Sequence, residues 1–311
     1  MVEKSKSNRY FIAYVWEFDG ENEDITFNEN ISLRKTSEAE KENYSQYIKK
    51  LGDNHGYPES CEYCIIFDLD EDSDIDFLCD AEWQLIKLVE AINLFYSHAF
   101  EIIRIDLYIN GEFIVDIWED CNEKYFVEIM IGKIEQKDVQ SILNVLKYLL
   151  EADTGYNSRN YKKYWWLTAV VYFDRYSESF HTADQLINLI TALESLLSGP
   201  GETSEIRFRL SHRASMYLYY INKLPPAETS QFMKKIYDQR SKIVHGSVGL
   251  EDPDKIKIKV NGEEIDLTSS IYTLREYTRL MLYDAIVNHS DKNKNQFIDY
   301  IDLLWTQNSG E

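Results

Sequence analysis

The sequence predicts an α+β domain over residues 1–151, followed by an all-α helical bundle over residues 152–311. Three observations lead to this prediction. The first half contains short segments rich in β-branched and aromatic residues, which favour strands. Residues 152–160 (ADTGYNSRN) are polar and turn-rich, as a linker between domains would be. Beyond them, apolar residues recur at the three- to four-residue spacing of amphipathic helices.

The predicted first domain is a small sheet with helices on one face. Its clearest element is a β-hairpin over residues 101–118, in which Asn110-Gly111 supplies the favoured two-residue turn. Apolar residues from Leu85 to Phe95 recur at helical spacing and predict a helix. The remaining predicted elements are strands over residues 9–17, 62–69 and 124–131, and helices over residues 80–98 and 136–151.

In the predicted bundle, glycines and prolines between the apolar stripes mark where one helix ends and the next begins. Thr203 or Ser204 can cap the third helix through a side-chain oxygen. Pro226 suits the first turn of the fourth helix, and Gly246 is placed to end it. A second Asn-Gly pair predicts a hairpin over residues 256–267. The predicted helices cover residues 161–179, 182–198, about 204–221, 226–245, 269–288 and 294–305.

The net charge of −21 is unevenly distributed along the chain. Residues 1–151 carry 14 Lys and Arg against 33 Asp and Glu, a net charge of −19. Residues 152–250 carry 12 against 9, or +3, and residues 251–311 carry 7 against 12, or −5. Because phosphates are repelled by an acidic surface, the middle block is the only one expected to tolerate a polyanion.

The chain shows no signal for a membrane or a secretory route. No apolar run approaches the ~20 residues that a membrane helix needs. The first residues, MVEKSKSNRYF, lack the apolar core of a secretory signal. We therefore expect a soluble, cytoplasmic protein without membrane contact.

The cysteines offer half of a zinc site. Cys61 and Cys64 have the Cys-x-x-Cys spacing, but a second close pair is missing, and only single Cys79, Cys121 and a nearby His55 remain. Because structural zinc sites need four ligands in tetrahedral geometry, small cysteines packed on a strand are the favoured interpretation.

The acidic run from Asp68 to Asp76 has a superficial likeness to a calcium loop. An EF-hand begun at Asp68 needs Gly at its sixth position and Glu at its twelfth, where this sequence has Ser73 and Cys79. A solvated acidic loop is the better interpretation. With no phosphate-binding glycine loop either, we predict neither a metal nor a cofactor.

The predicted fourth helix carries an arginine on its apolar stripe. Arg240 occupies a position where a further apolar residue is expected, on the same stripe as Phe232, Ile236 and Ile243. His245 follows at the end of the helix, and Ser241, four residues before it, shares its face. One interpretation is an Arg–carboxylate pair in the bundle core beside a histidine at the helix end. The other is a site for chemistry on an anion.

Upstream charges suggest a partner for a buried arginine. Glu194 interrupts the apolar stripe of the second predicted helix. Glu205, Arg209 and Arg213 follow at four-residue spacing on the third, as a ladder of opposite charges. Because buried charges are normally paired, we expect Glu194 to pair with Arg209 or Arg213 and to fix the helix register. These three residues would then support the site without contacting substrate.

The segment Arg240-Ser-Lys-Ile-Val-His245-Gly246 resembles the signature of the HEPN superfamily, an Arg followed after four to six residues by His. Two further segments, ALESLLS at 192–198 and EIRFRLSHRASMYL at 205–218, together with YDQRSKIVHG at 237–246, are similar to the ApeA-like branch. The resemblance spans roughly residues 160–290. In many active members Asn, Asp or His follows the Arg, whereas this sequence has Ser241.

The resemblance implies a helical bundle that forms a homodimer around the motif helix. In active members the Arg and His of both subunits line one cleft and cleave RNA without a metal. These roles would fall to Arg240 and His245. Many such proteins act in toxin–antitoxin or antiphage systems, so an antitoxin or a phage-derived trigger is a further expected partner. The alternative is a non-catalytic HEPN module for dimerisation or binding, with the function in the N-terminal domain.

Overall fold

The structure is a computed structural model, in which the described residues are 9–16, 24–51, 61–69, 75–96, 101–109, 112–116, 135–152, 163–177, 179, 181–246, 256–260 and 262–308. The chain divides into two compact units, Met1–Ser158 and Arg159–Glu311. The first contains an antiparallel sheet with helices, and the second is mostly helical. An α+β region followed by a helical region agrees with the fold class that the sequence predicts.

In the first unit, the described strands form one antiparallel sheet in the order β2-β3-β4-β1-β5-β6. The strands are β1 (Arg9–Trp16), β2 (Ile25–Thr26), β3 (Ile31–Lys35), β4 (Tyr63–Leu69), β5 (Glu101–Ile109) and β6 (Glu112–Asp116). The helices are α1 (Glu38–Leu51), α2 (Ile75–Phe95) and α3 (Val139–Ala152), the last preceded by a 3₁₀ turn at Gln136–Asp138.

The predicted hairpin is present as β5 and β6, which pair antiparallel with Ile109 opposite Glu112. Its turn, Asn110-Gly111, lies outside the described residues, as does the predicted strand at 124–131. The predicted strands at 9–17 and 62–69 are confirmed within a residue, as β1 and β4. The sequence did not predict β2, β3 or α1.

Both faces of the sheet centre are buried. Phe11, Ile12, Ala13 and Tyr14 of β1 are each fully buried, and successive strand residues point to opposite faces. On one face the Tyr14 ring lies 5.2 Å from the ring of Tyr44 in α1. The opposite face, which carries Phe11 and Ala13, is equally covered. The sequence predicts a small sheet with helices on one face, and in the structure apolar side chains are buried on both faces of the sheet.

The second unit contains six described helices and one hairpin. The helices are α4 (Leu167–Ser177), α5 (Thr182–Leu197), α6 (Ile206–Asn222), α7 (Pro226–Val244), α8 (Leu267–His289) and α9 (Lys294–Asn308). The predicted second hairpin is present as β7 (Lys257–Val260) and β8 (Glu263–Asp266), which pair antiparallel. Across the described residues of the chain, no helix is both long enough and apolar enough to cross a bilayer.

Helix α5 is central to the second unit, since it contacts α4, α6, α7 and α8. Its inward face is made of leucine and isoleucine side chains without exposed surface: Leu186, Leu189, Ile190, Leu193, Leu196 and Leu197. Burial of one such side chain contributes about 1.5–3 kcal/mol to folding. Glu194 lies between these buried positions of α5, so its backbone position is fixed by the packing of the helix.

The helix ends confirm two predictions and correct a third. Pro226 occupies the first turn of α7, and Gly246 follows its end with φ +66°, a left-handed conformation suited to glycine. The cap of α6 is Glu205, whose side chain makes no capping hydrogen bond, so capping by Thr203 or Ser204 is wrong. The preceding turn is held by Glu202 instead, whose carboxylate accepts a hydrogen bond from the Gly199 backbone amide at 2.8 Å.

Candidate functional site

Helix α7 places the Arg240–His245 motif at its C-terminal end. Its apolar face packs inward through Phe232, Met233 and Ile236, all buried. The Phe232 ring meets the Tyr277 ring of α8 edge to face, with centroids 5.6 Å apart. In the last turn of α7, Ile243 is also buried, so the helix end that carries the motif is anchored in the core of the unit.

Arg240 is half-buried on the inward side of α7. One quarter of its side chain is exposed, and its terminal Nη2 lies 4.0 Å from Oε2 of Glu194 on α5. Its Nε is buried without a hydrogen-bond partner, and its guanidinium lies 6.0 Å from the centroid of the Tyr237 ring. A buried donor without a partner is costly. The guanidinium is thus held by its own chain through one long contact to Glu194, and one quarter of the side chain stays open to solvent.

Glu194 is shared between Arg240 and a tyrosine. The Tyr237 hydroxyl donates a hydrogen bond to Glu194 Oε1 at 3.1 Å. Burial, and then the neighbouring Glu194 carboxylate, raise the pKa of Tyr237 above its usual value. The expected pairing of Glu194 with Arg209 or Arg213 is therefore wrong: this carboxylate faces α7, one turn before the end of the helix.

Arg209 and Arg213 form a separate cluster around Glu202. Arg209 Nη1 lies 2.6 Å from Glu202 Oε1, and Arg213 Nη1 lies 2.6 Å from Glu202 Oε2. Arg213 also donates to Asp302 of α9 at 2.8 Å. The hydrogen bond from Arg213 is the main reason that the pKa of Glu202 falls to about 2. The predicted charge ladder with Glu205 is wrong. Glu205 is the N-cap residue of α6, and the carboxylate that pairs with Arg209 and Arg213 is that of Glu202, in the preceding turn.

His245 is the first residue beyond α7 and is exposed. Its backbone amide donates to the Ser241 carbonyl at 3.1 Å, and the Gly246 amide donates to the Ile243 carbonyl at 3.0 Å. Successive helical residues are separated by about 100°, so Arg240 and His245 lie roughly 140° apart around the helix. One chain therefore presents the guanidinium and the imidazole on different sides of the helix end.

A basic pocket, here called the lysine pocket, lies between α7 and β7. Its volume is about 480 Å³, and its lining includes Lys235, Asp238, Ser241, Lys242, Lys257 and Lys259. On α7 the charged positions Lys235, Asp238 and Lys242 lie roughly 140–160° from Arg240 around the helix. Sequence reasoning missed this pocket. The signals available were the lysines of KIKIK at 255–259 and the positive charge of the middle block.

The lysine pocket carries a net positive charge, because the one carboxylate among its described lining residues, Asp238, is paired with an arginine of a neighbouring helix. Asp238 pairs with Arg207 of α6 at 2.7 Å. Across the described residues, no carboxylate lies within ion-pair distance of the four lysines, although Lys257 faces Asp266 across the hairpin. Asp266 in turn caps α8 by accepting from the Ser269 amide at 2.7 Å. Several lysines that line one cavity are typical of an anion-binding site.

The cysteine pair in the first unit is packed in the protein interior. Cys61 and Cys64 are both buried, and the Cys61 thiol donates to the Tyr63 carbonyl at 3.1 Å. Burial raises the pKa of Cys64 to about 12, which disfavours the thiolate that zinc requires. In the part of the chain that is described, no three His, Cys, Asp or Glu residues are grouped so as to hold a metal ion. His55, Cys121 and most of the acidic run lie outside it.

Comparisons of the chain with protein-family models, with curated proteins and with solved structures found no match. The chain is therefore described by its own structure, as a protein of two compact units. An antiparallel sheet with helices forms one unit, and a helical unit carries an arginine, an exposed histidine and a basic pocket around the end of one helix.

Proposed function

We propose that the helical unit is a HEPN-like domain and that the protein is a metal-independent RNA endonuclease, active as a homodimer. Arg240 and His245 of both subunits would line one cleft. The observation that carries the proposal is the state of the motif at the end of α7. Arg240 is partly exposed and has one long contact to Glu194, and His245 is open to solvent beside a basic pocket.

The residue types suit RNA cleavage. RNA carries its own nucleophile, the 2′-OH. Cleavage requires that its proton be removed, that the leaving 5′-oxygen be protonated, and that the charge on the crowded phosphate be stabilised. Histidine is the side chain best suited to exchange protons near neutral pH. A guanidinium presents two parallel donors to phosphate oxygens.

The separation of the two side chains around α7 favours a shared site. Because Arg240 and His245 of one chain point roughly 140° apart, a single subunit would not bring both to one phosphate. A two-fold axis along the motif helices would supply two imidazoles, as acid and base, and two guanidiniums. One motif in each chain is then sufficient. Antiphage defence or a toxin–antitoxin pair, with an antitoxin or phage-derived trigger as partner, is the proposed setting.

The second candidate function is a non-catalytic HEPN-like module. The observation that favours it is the contact of Arg240 with Glu194, because an arginine engaged by its own chain is less free to bind phosphate. Dimerisation or partner binding would then be the role of the helical unit, and the function would reside in the N-terminal unit.

Incubation of the purified protein with total RNA separates the two. Wild-type protein should cleave RNA, and His245→Ala should lower the rate at least a hundredfold, the usual scale for loss of a general acid or base. His181→Ala is the matched control. His181 is likewise an exposed histidine at a helix end of the same unit, with no side-chain capping bond. No cleavage by the wild-type protein would favour the non-catalytic module, and equal cleavage rates for the two variants would contradict the assignment of His245.

A further inference from the structure

An exposed phenylalanine on α6, stacked on a half-buried histidine, lies near the lysine pocket. The rings of Phe208 and His212 are stacked, 3° from parallel with centroids 5.7 Å apart, and Phe208 is 57% exposed. Arg207, next to Phe208, pairs with Asp238 in the pocket wall. Lys234 Nζ lies 5.9 Å from the Phe208 ring centroid. Cations and an exposed stacked ring thus share one surface of α6 and α7.

We propose that this surface binds single-stranded RNA, with backbone phosphates in the lysine pocket and a base stacked on Phe208. Proteins that hold single strands combine a cationic groove with aromatic side chains on which bases stack. The proposal rests on the proposed function for its substrate, and it adds to that function a binding site away from Arg240. It also gives Ser241 a place in the pocket wall, where its hydroxyl can donate to a phosphate.

The arrangement fits a strand better than a small polyphosphate. The pocket is lined by lysines, which are compact point charges suited to phosphate. The aromatic surface lies beside the pocket, on α6. A free triphosphate would fill only the pocket, whereas a nucleotide strand reaches both. Sequence-independent binding follows, because stacking and backbone charge do not distinguish bases.

The pocket also lies beside the proposed catalytic histidine. Lys242 is three residues before His245, about 4.5 Å along the helix axis. His245 lies roughly 60° from Lys242 around α7, whereas Arg240 lies roughly 160° away. A strand held in the pocket therefore passes the histidine of the same chain. The guanidinium that meets its phosphate would then come from the partner.

Binding of an uncleavable strand to the full protein tests the proposal. The probe is a short fluorescent RNA with every 2′-oxygen methylated, titrated at several salt concentrations. Lys235→Gln/Lys242→Gln should lower the affinity and reduce the slope of log K against log salt by about 1.4, since each single-strand phosphate contact contributes about 0.7. The control Lys49→Gln/Lys147→Gln removes the same charge from exposed positions of the first unit and should change the slope little.

A separate variant tests whether a base stacks on Phe208. Phe208→Ala should weaken binding about tenfold, the scale of one lost stacking contact. Tyr220→Ala is the control, since Tyr220 is an exposed aromatic on the same helix, and it should bind as wild type does. Because the probe cannot be cleaved, loss of the nuclease proposal would leave these results unchanged.

Two outcomes would overturn the proposal. Equal salt slopes for the pocket variant and its control would mean that the lysines do not hold phosphates. Full competition by inorganic triphosphate, together with wild-type affinity for Phe208→Ala, would mean that the pocket takes a small polyanion and that no strand lies across α6.

Discussion

Arg240 is held by contacts that are weak in geometry. The guanidinium and the Glu194 carboxylate are 4.0 Å apart, each about one quarter exposed, and Glu194 has a second donor in Tyr237. Partly exposed ion pairs with so long a separation contribute about 0–1 kcal/mol. The contact positions the arginine but adds little to stability. Replacement of Arg240 should therefore affect activity much more than the free energy of unfolding.

Arg240→Ala should abolish RNA cleavage while costing less than about 1 kcal/mol of unfolding free energy, because Glu194 keeps its tyrosine donor and access to water. Chemical denaturation of wild-type and variant protein measures the cost, and an RNA assay measures the activity. A loss above about 3 kcal/mol would instead identify a buried structural pair, the role that the non-catalytic module assigns to this arginine.

The Glu202 cluster gives a pH dependence with a defined sign. The pKa of Glu202 is about 2 in the folded protein, below its ordinary value of 4.5, so between these values the unfolded chain binds more protons. The stabilisation is complete above pH 4.5 and is lost as the pH falls towards 2. Glu202→Gln should cost about 1 kcal/mol at pH 7, after allowance for solvent screening, and little below pH 2. A cost independent of pH would contradict the assignment.

At the residue scale, the sequence predicted where charges lie but not which charges meet. The position of Arg240 on an apolar stripe followed from helical spacing alone. The partner of Glu194 did not, because it depends on how α5 and α7 pack. The sequence did not predict Glu202 as the ion-pair partner of Arg209 and Arg213, because it lies in a turn, where helical periodicity gives no information.

At the scale of elements, the end of α7 is set by one glycine. Gly246 has φ +66°, and an added Cβ would meet no atom within 4 Å, so the cost of a side chain there is backbone strain alone. Gly246→Ala should destabilise the protein by about 1 kcal/mol, and Gly246→Asn by less, since asparagine tolerates this conformation. Thermal unfolding of the two variants tests the order. Equal stability of Gly246→Ala and wild type would contradict the helix-end assignment.

The elements that the sequence missed are short or partly polar: β2 has two residues and β3 has five, and α1 buries a carboxylate beside the apolar Tyr44. Helix α1 is highly charged, and its described buried residues include Glu40, whose carboxylate accepts from both terminal nitrogens of Arg34, at 2.9 and 2.7 Å. Burial of a charge that is paired leaves no apolar stripe to recognise. The leucine-rich α5 and the β5–β6 hairpin were predictable, because their patterns are local.

At the scale of the whole molecule, the helical unit should associate with a second copy. The motivation is the separation of Arg240 and His245 around one helix, which leaves each subunit with an incomplete site. Light scattering at micromolar concentration should give twice the mass of the chain. A monomer under these conditions would contradict the shared site, whatever the activity of the protein.

Charge distribution is the second whole-molecule feature. The chain carries −21, yet the lysine pocket collects four cations on one surface of the helical unit. The composition of residues 152–250 allowed a cationic site, but two of the four lysines come from β7, in the acidic block 251–311, and composition did not reveal that they would converge with those of α7. Convergence of residues distant in sequence is a property of the fold, which no local pattern encodes.

The measurement that tests the central claim most directly is the analysis of RNA ends after incubation with the full protein in excess EDTA. The proposed chemistry uses the 2′-OH of the substrate and no metal, so cleavage should persist and leave a 2′,3′-cyclic phosphate and a 5′-OH. RNA methylated at the 2′ position should remain intact. Cleavage that stops in EDTA, or that leaves a 5′-phosphate, would contradict the account.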